Sequence, residues 1–275
     1  MATIYFFNGT QSGTADGSYV DPYDFSSLAT QESASSSGDV FTFKDGTYVI
    51  TANLTLGADG VTYEAETTGD VTFNFNSQYS LSLGDSANTY PGFTLKGIVF
   101  DNISGIMYAR IIDNDLLIAE DCQFKGMSSG YRCIIGDTAG TDGGYGLNAV
   151  FRRCVFVGTS SANEVRFFRY RLINVLFNLT LENCSVLLYG QGGMFENYTP
   201  GIKIVKNSIL YADNSSSQFG SISLTENNNC YYNLIGKSAN PANGIIVADP
   251  QFLDVTNGDL RLRPSSPCIN AGTSS

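Results

Sequence analysis

The sequence predicts an all-β chain, a single-stranded right-handed parallel β-helix with three strands per coil and a short N-terminal capping helix. Three observations predict it: a composition of strand and turn formers, a segment that recurs five times, and a further short strand between recurrences. Of 275 residues, 29 are Gly, 16 Tyr and 18 Phe, and only 15% are charged. That mixture favours pleated strands and tight turns and leaves little material for long charged surface helices. The length provides for a sizeable interior. The reading is one elongated domain over residues 1–275, with an N-terminal cap and first coil in 1–50, coils in 51–245 and a C-terminal cap in 246–275.

The recurring segment is found at residues 93–100 (FTLKGIVF), 117–124 (LIAEDCQF), 149–156 (AVFRRCVF), 179–186 (LTLENCSV) and 202–209 (IKIVKNSI). Each copy has apolar residues at alternate positions on both sides of a two-residue corner, the pattern of two short strands meeting at a bend. Superposed this way, Ile98, Cys122, Cys154, Cys184 and Asn207 share one position, with spacings of 24, 32, 30 and 23 residues. Parallel neighbours lie about 4.8 Å apart, so the three cysteines form an inward column of small, soft core residues. The corner pairs are Lys96-Gly97, Glu120-Asp121, Arg152-Arg153, Glu182-Asn183 and Val205-Lys206. The first corner position alternates Lys, Glu, Arg, Glu, a surface charge ladder worth little per pair. Gly97, Asp121 and Asn183 tolerate left-handed backbone there, whereas Arg153 and Lys206 suit it less.

A third strand per coil is read at residues 109–113, 132–137, 165–171, 193–197 and 217–221. Beyond Leu224 the register blurs, and Asn227 and Asn228 compete for the column position.

Residues 15–31 (ADGSYVDPYDFSSLATQ) and 38–51 (GDVFTFKDGTYVIT) resemble the N-terminal entry of the pectate-lyase-like β-helix superfamily, in which a short helix covers the core before the first coil. Residues 248–272 (ADPQFLDVTNGDLRLRPSSPCINAG) are similar to the closing motif of bacterial and phage β-helix repeat proteins, tailspike-like ones included. The resemblance implies end caps, built from Phe25 and Leu28 at one end and from Phe252, Leu260, Leu262 and Ile269 at the other, because a solenoid exposes apolar core at both ends. It implies a fold rather than an activity, since the superfamily includes lyases, hydrolases, tailspikes, adhesins and structural proteins.

A net charge of -11 argues against nucleic acid or an anionic membrane as partner, because the long-range field repels polyanions. No apolar run reaches membrane-spanning length, and the start, MATIYFFNGTQSG, does not read as a secretory signal. The six cysteines, at 122, 133, 154, 184, 230 and 268, show no CxxC spacing, and the chain has no histidine. No metal site or cofactor is therefore expected, and nucleophile systems that need histidine are excluded.

Candidate chemistry falls on the third strands. Seven of the nine arginines lie between 110 and 171. Arg110, Arg132, Arg166, Arg169 and Arg171 fall on or beside third strands, with Tyr131 and Tyr170 among them and Tyr108 and Tyr145 nearby. Guanidinium forks grip carboxylates and aromatic faces pack on sugar rings, so this set suits an extended acidic polysaccharide. The competing reading pairs the arginines with Asp113, Asp137, Glu164 and Glu196 as surface ladders. Glycan hydrolysis needs two carboxyl groups about 5 to 9 Å apart, and Asp113, Asp137 and Glu196, with Asp115 beside them, are the candidates. The superfamily's best-known activity is a lyase in which clustered acids hold Ca2+ and an Arg or Lys removes a proton, a set that Asp113, Asp115 and Asp137 with Arg132 or Arg166 would imitate, although no family motif matches residue by residue. The reading that results is a virion-surface β-helix, tailspike-like or decorative, binding host-surface acidic polysaccharide as a homotrimer among other virion proteins. Polysaccharide lyase or glycoside hydrolase activity and a purely structural role are the alternatives.

Overall fold

The computed structural model describes residues 1–9, 14–83, 92–103, 108–109, 116–127, 134–136, 147–158, 166–170, 177–188, 193–196, 201–213, 217–218 and 224–272. The chain winds as a right-handed parallel β-helix whose coils lay one strand on each of three sheets, of ten, nine and eight strands among the described residues. The first fully described coil consists of Val40–Phe43, Gly46–Val49 and Leu54–Leu56. Each strand pairs in parallel with its counterpart one coil on, as Thr62–Ala65 does with Val40–Phe43. The N-terminal strand Thr3–Phe7 extends the first sheet by pairing with Val40–Phe43.

Register confirms four of the five predicted repeats and shifts the fifth by one residue. Lys96, Glu120, Arg152, Glu182 and Lys206 align on consecutive strands. The residue that follows each is left-handed: Gly97, Asp121, Arg153, Asn183, Asn207 and, one coil on, Asn228, with φ from 51° to 68°. Asn207 is therefore a corner residue and not a column residue, and the last corner pair is Lys206-Asn207. Ser208 and Asn229 take the column, each 1% exposed, so neither Asn227 nor Asn228 occupies it. Asn serves at the corner because its short amide side chain tolerates left-handed backbone better than most. The shift turns Lys203 inward, 6% exposed, and leaves Ile202 outside at 63%. The Lys203 ammonium reaches back to donate to the Gly201 carbonyl at 3.2 Å, and burial holds its pKa below the usual value.

Cys122, Cys154 and Cys184 are buried as expected. Cys154 Sγ donates to the Ala119 carbonyl and Cys184 Sγ to the Phe151 carbonyl, both at 3.3 Å. Burial pushes the Cys154 thiol well above its ordinary pKa, so it is an unreactive core group. Beside the column, Phe100, Phe124 and Phe156 stack with centroids 5.2 and 5.0 Å apart, offset-ring contacts that add to the area they bury.

The N-terminal cap matches expectation. Asp24 accepts from Ser27 N at 3.2 Å to start a turn, Phe25–Ser27, that continues into the helix Leu28–Ala34. Leu28 is buried, and the Phe25 ring lies 5.1 Å from Tyr48 and 5.2 Å from Phe73. Tyr63 OH donates to Glu32 and accepts from the Gly57 and Ala58 amides at 3.1 and 2.8 Å. Burial pushes the Glu32 carboxyl up to about 7, against the opposing effect of the Tyr63 bond.

The C-terminal segment departs from expectation. It covers the outer side of the second sheet rather than the open end. Val157, Leu187 and Tyr211 are outward positions in one register row, yet Leu187 is fully buried and Val157 nearly so. Phe252 packs on Tyr211 at 5.8 Å, and Gly258 lies against Val157. The strands Phe252–Asp254 and Asp259–Leu262 form an antiparallel hairpin on this flank, and Ile269 is exposed. An apolar tail and an apolar outer strip cover one another.

Near the end of the stack, Ile245 and Leu234 are buried beside a polar network. Ser208 N donates to Asn229 Oδ1 at 3.0 Å, and Asn229 Nδ2 donates to the Val205 carbonyl at 2.7 Å and to Tyr231 OH at 3.0 Å. Tyr231 OH and Lys237 Nζ then donate to Glu226 at 2.5 and 2.6 Å.

Two outcomes follow. Asn229→Ala leaves Ser208 N and the Val205 carbonyl buried without this partner, and is expected to cost about 2 to 4 kcal/mol, read as a lower denaturant midpoint at unchanged slope. Glu32 has a folded-state pKa raised from 4.5 to about 7, so its contribution is fully present below the unfolded value and is lost as pH rises through the folded one. Discounted for partial exposure, stability should fall by about 2 kcal/mol between about pH 5 and about pH 8. Glu32→Gln should flatten that dependence in thermal melts, and an unchanged pH profile in the variant would exclude Glu32 as its source.

Candidate functional site

The corner ladder accounts for two of the seven clustered arginines. Arg152 Nη1 lies 3.0 Å from Glu120 Oε1 and its Nε 3.5 Å from Glu182 Oε2, while Lys206 Nζ lies 2.8 Å from Glu182 Oε1. The Lys206 hydrogen bond, then the charges of Lys206 and Arg152, hold the Glu182 carboxyl below its usual pKa. Arg153 grips Asp121 with Nε at 2.7 Å and Nη2 at 2.8 Å. That bidentate pair favours an otherwise poorly suited left-handed arginine. These groups are occupied with one another and form a structural edge.

The third sheet is the remaining arginine-bearing face. Its described strands include Leu81–Leu83, Tyr108–Ala109, Ile134–Gly136, Arg166–Tyr170, Gly193–Glu196 and Ser217–Gln218, within the five stretches read as third strands except at Tyr108 and in the earlier coil at 81–83. Register joins Ser82, Tyr108, Ile135, Arg169 and Glu196 into one row. The row continues back from Ser82 to Thr55, and Ser82 is a partly exposed residue between buried Leu81 and Leu83. Arg166 pairs with Gly193 and Tyr170 with Gly136. Adjacent members of a row stand about 4.8 Å apart, so Arg169 and Glu196 are immediate neighbours and Tyr108 is two coils from Arg169. Arg166, Arg169, Tyr170 and Glu196 are placed here by backbone alone. Arg110, Asp113, Asp115, Tyr131, Arg132, Asp137, Tyr145, Glu164 and Arg171 lie outside the described residues. Among the described residues no cluster of three metal-ligating side chains occurs.

A groove that the sequence did not suggest lies on the second-sheet flank. Its floor is Gln123, Lys125, Val155 and Ser185, its wall is the hairpin from Asn257 to Arg261, and its volume is about 420 Å3. Arg261 Nη2 lies 2.6 Å from Asp259 Oδ2, and this hydrogen-bonded guanidinium takes the Asp259 carboxyl down to about 2. The wall's charges thus pair with each other and Asn257 Nδ2 donates to Asp254 at 2.5 Å, leaving the Gln123 amide and the Lys125 ammonium as polar groups for a small ligand. Sequence alternation marks Gln123 and Val155 as outward, but only the folded-back tail makes their surface concave.

No protein-family model matches this chain, and no curated protein sequence matches it. Solved structures similar in fold include a pectate lyase and a pectin methylesterase. Pectate lyase Pel9A is 14% identical, with 100% of this chain and 92% of that chain covered at a TM-score of 0.43. Pectin methylesterase PemA from Erwinia chrysanthemi is 12% identical, with 84% and 78% covered at a TM-score of 0.37. Neither likeness assigns an activity or a residue to this chain.

Proposed function

We propose that the protein is a virion-surface β-helix, tailspike-like or decorative, that holds an extended acidic polysaccharide of a host surface along its third face. The observation that carries this reading is the register of the third sheet, in which Tyr108 and Arg169 belong to one row parallel to the helix axis. A linear polymer laid along that axis meets one strand per coil, so weak contacts repeat in series and add. Arg110, Tyr131, Arg132, Arg166, Tyr170 and Arg171 are assigned to the same ligand from their places on or beside third strands. The surroundings are acidic overall, at a net charge of -11, so binding rests on local guanidinium contacts rather than a general field. In this reading the chain works outside the cell, in a side-by-side homotrimer with other virion proteins, and needs no cofactor.

A second reading is favoured by one observation, the placement of Glu196 beside Arg169. An acidic and a basic residue at adjacent register positions of a polysaccharide-binding face are a starting set for acid–base chemistry, with Asp113 and Asp137 as partners and Ca2+ if the reaction is elimination.

Retention on immobilised acidic and neutral polysaccharides tests the binding reading. Loss of two charge-assisted contacts in Arg166→Ala with Arg169→Ala should weaken retention on the acidic panel by about tenfold or more, with melting unchanged as the control for folding. Unchanged retention would remove the third face as the binding surface. The same mixtures, followed for unsaturated or reducing ends with and without calcium, should show none; their appearance would establish the enzymatic reading instead.

A further inference from the structure

Cys230 does not belong to the cysteine column. It follows Ile209 in an outward row of the second sheet and precedes Ile246 in the next strand. It is nevertheless 3% exposed, because the C-terminal tail lies over it. Cys268, on that tail, is partly exposed, and both thiols are free. The two sulfurs are near enough for each to shift the other's ionisation. They share the wall of a cavity of about 260 Å3 with Ser208, Leu262 and Gly272. The approach is held from both sides. On the coil side, Cys230 N donates to the Ser208 carbonyl at 2.9 Å and its Sγ to the Ala248 carbonyl at 3.4 Å. On the tail side, Ser266 Oγ donates to the Pro250 carbonyl at 2.5 Å and accepts from Cys268 N at 3.1 Å.

We infer that Cys230 and Cys268 form a modification site, a dithiol that a small-molecule disulfide converts to an intramolecular disulfide locking the C-terminal tail onto the second sheet. The reaction balances with oxidised glutathione as oxidant. The Cys268 thiolate attacks one glutathione sulfur, breaking its S–S bond and expelling one glutathione thiolate, and a mixed disulfide results. Cys230 loses its proton to solvent and attacks the Cys268 sulfur. The Cys230–Cys268 bond forms and the second glutathione leaves, so two thiols are oxidised and one disulfide is reduced to two thiols. The order of attack is set by environment. The neighbouring Cys230 thiol lowers the Cys268 pKa, whereas the neighbouring Cys268 and burial raise the Cys230 pKa. Asp249, acting on both sulfurs, opposes ionisation of each. Cys122, Cys154 and Cys184 face inward and are buried, which keeps them from a soluble oxidant. The inferred site therefore switches when the medium changes from reducing to oxidising, independently of what the third face binds.

Intact-mass measurement and non-reducing peptide mapping of the full chain after incubation with oxidised glutathione test this. The expected result is a mass about 2 Da lower and one cross-linked pair joining the peptides that contain Cys230 and Cys268. Cys230→Ser should stop at a stable adduct one glutathionyl group heavier, and Cys268→Ser should give no loss of mass. Amide exchange across residues 250–272 should slow in the oxidised wild type and not in either variant. A cross-link among Cys122, Cys133, Cys154 and Cys184, a persistent glutathione adduct on wild-type Cys268, or no reaction while an exposed model thiol is consumed would each overturn the inference.

Discussion

In-register parallel stacking is the constraint on which the rest of this structure depends. A residue at one position of a coil sits about 4.8 Å from its counterparts above and below, so a requirement met once must be met in every coil. The corner shows this most clearly. Gly97, Asp121, Arg153, Asn183, Asn207 and Asn228 all carry positive φ at one position, and most are residue types with little steric objection to it. Arg153 is the costly member, and its bidentate hold on Asp121 offsets part of that strain. The same stacking turns single side chains into columns: soft thiols at 122, 154 and 184, stacked rings at 100, 124 and 156, and alternating charge at the outer edge.

A stack that repeats has two ends and three flanks, and the chain treats them differently. The N-terminal end is closed by a turn and a short helix whose Phe25 and Leu28 continue the core, with Glu32 bonded to Tyr63 at the margin. Near the other end, Asn229, Tyr231 and Glu226 place hydrogen-bonding groups where the apolar core runs out. The tail is then free to cover Val157 and Leu187 on the second flank. The third flank keeps the arginine-bearing strands.

Much of this was legible in the sequence, and the failures have physical causes. Repeats from 93 to 186 were readable because apolar alternation and left-handed corner residues agreed. At 202–209 they conflicted. Ile202 and Ile204 advertise an inward face, but the lysine side chain is long enough to lie inside and return its ammonium to the Gly201 carbonyl, so Lys203 and Val205 point in and Ile202 is exposed. The left-handed requirement at Asn207 was the better guide. In the tail, apolar residues announced that something would be covered, but alternation along one strand does not say whether the partner is an end or a flank. The third-strand candidates were visible as residue types. Their row was not, because pairing Arg169 with Ile135 on one side and Glu196 on the other depends on the lengths of the intervening loops.

The central claim is that the third face is where this solenoid meets its ligand. Hydroxyl-radical footprinting of the full chain, with and without an acidic polysaccharide that it retains, tests it most directly. The account predicts protection confined to the third strands, at residues 108–109, 134–136, 166–170 and 193–196, with the first face and the hairpin unchanged. Protection at Gln123, Lys125 and Asn257 with none on those strands would contradict it.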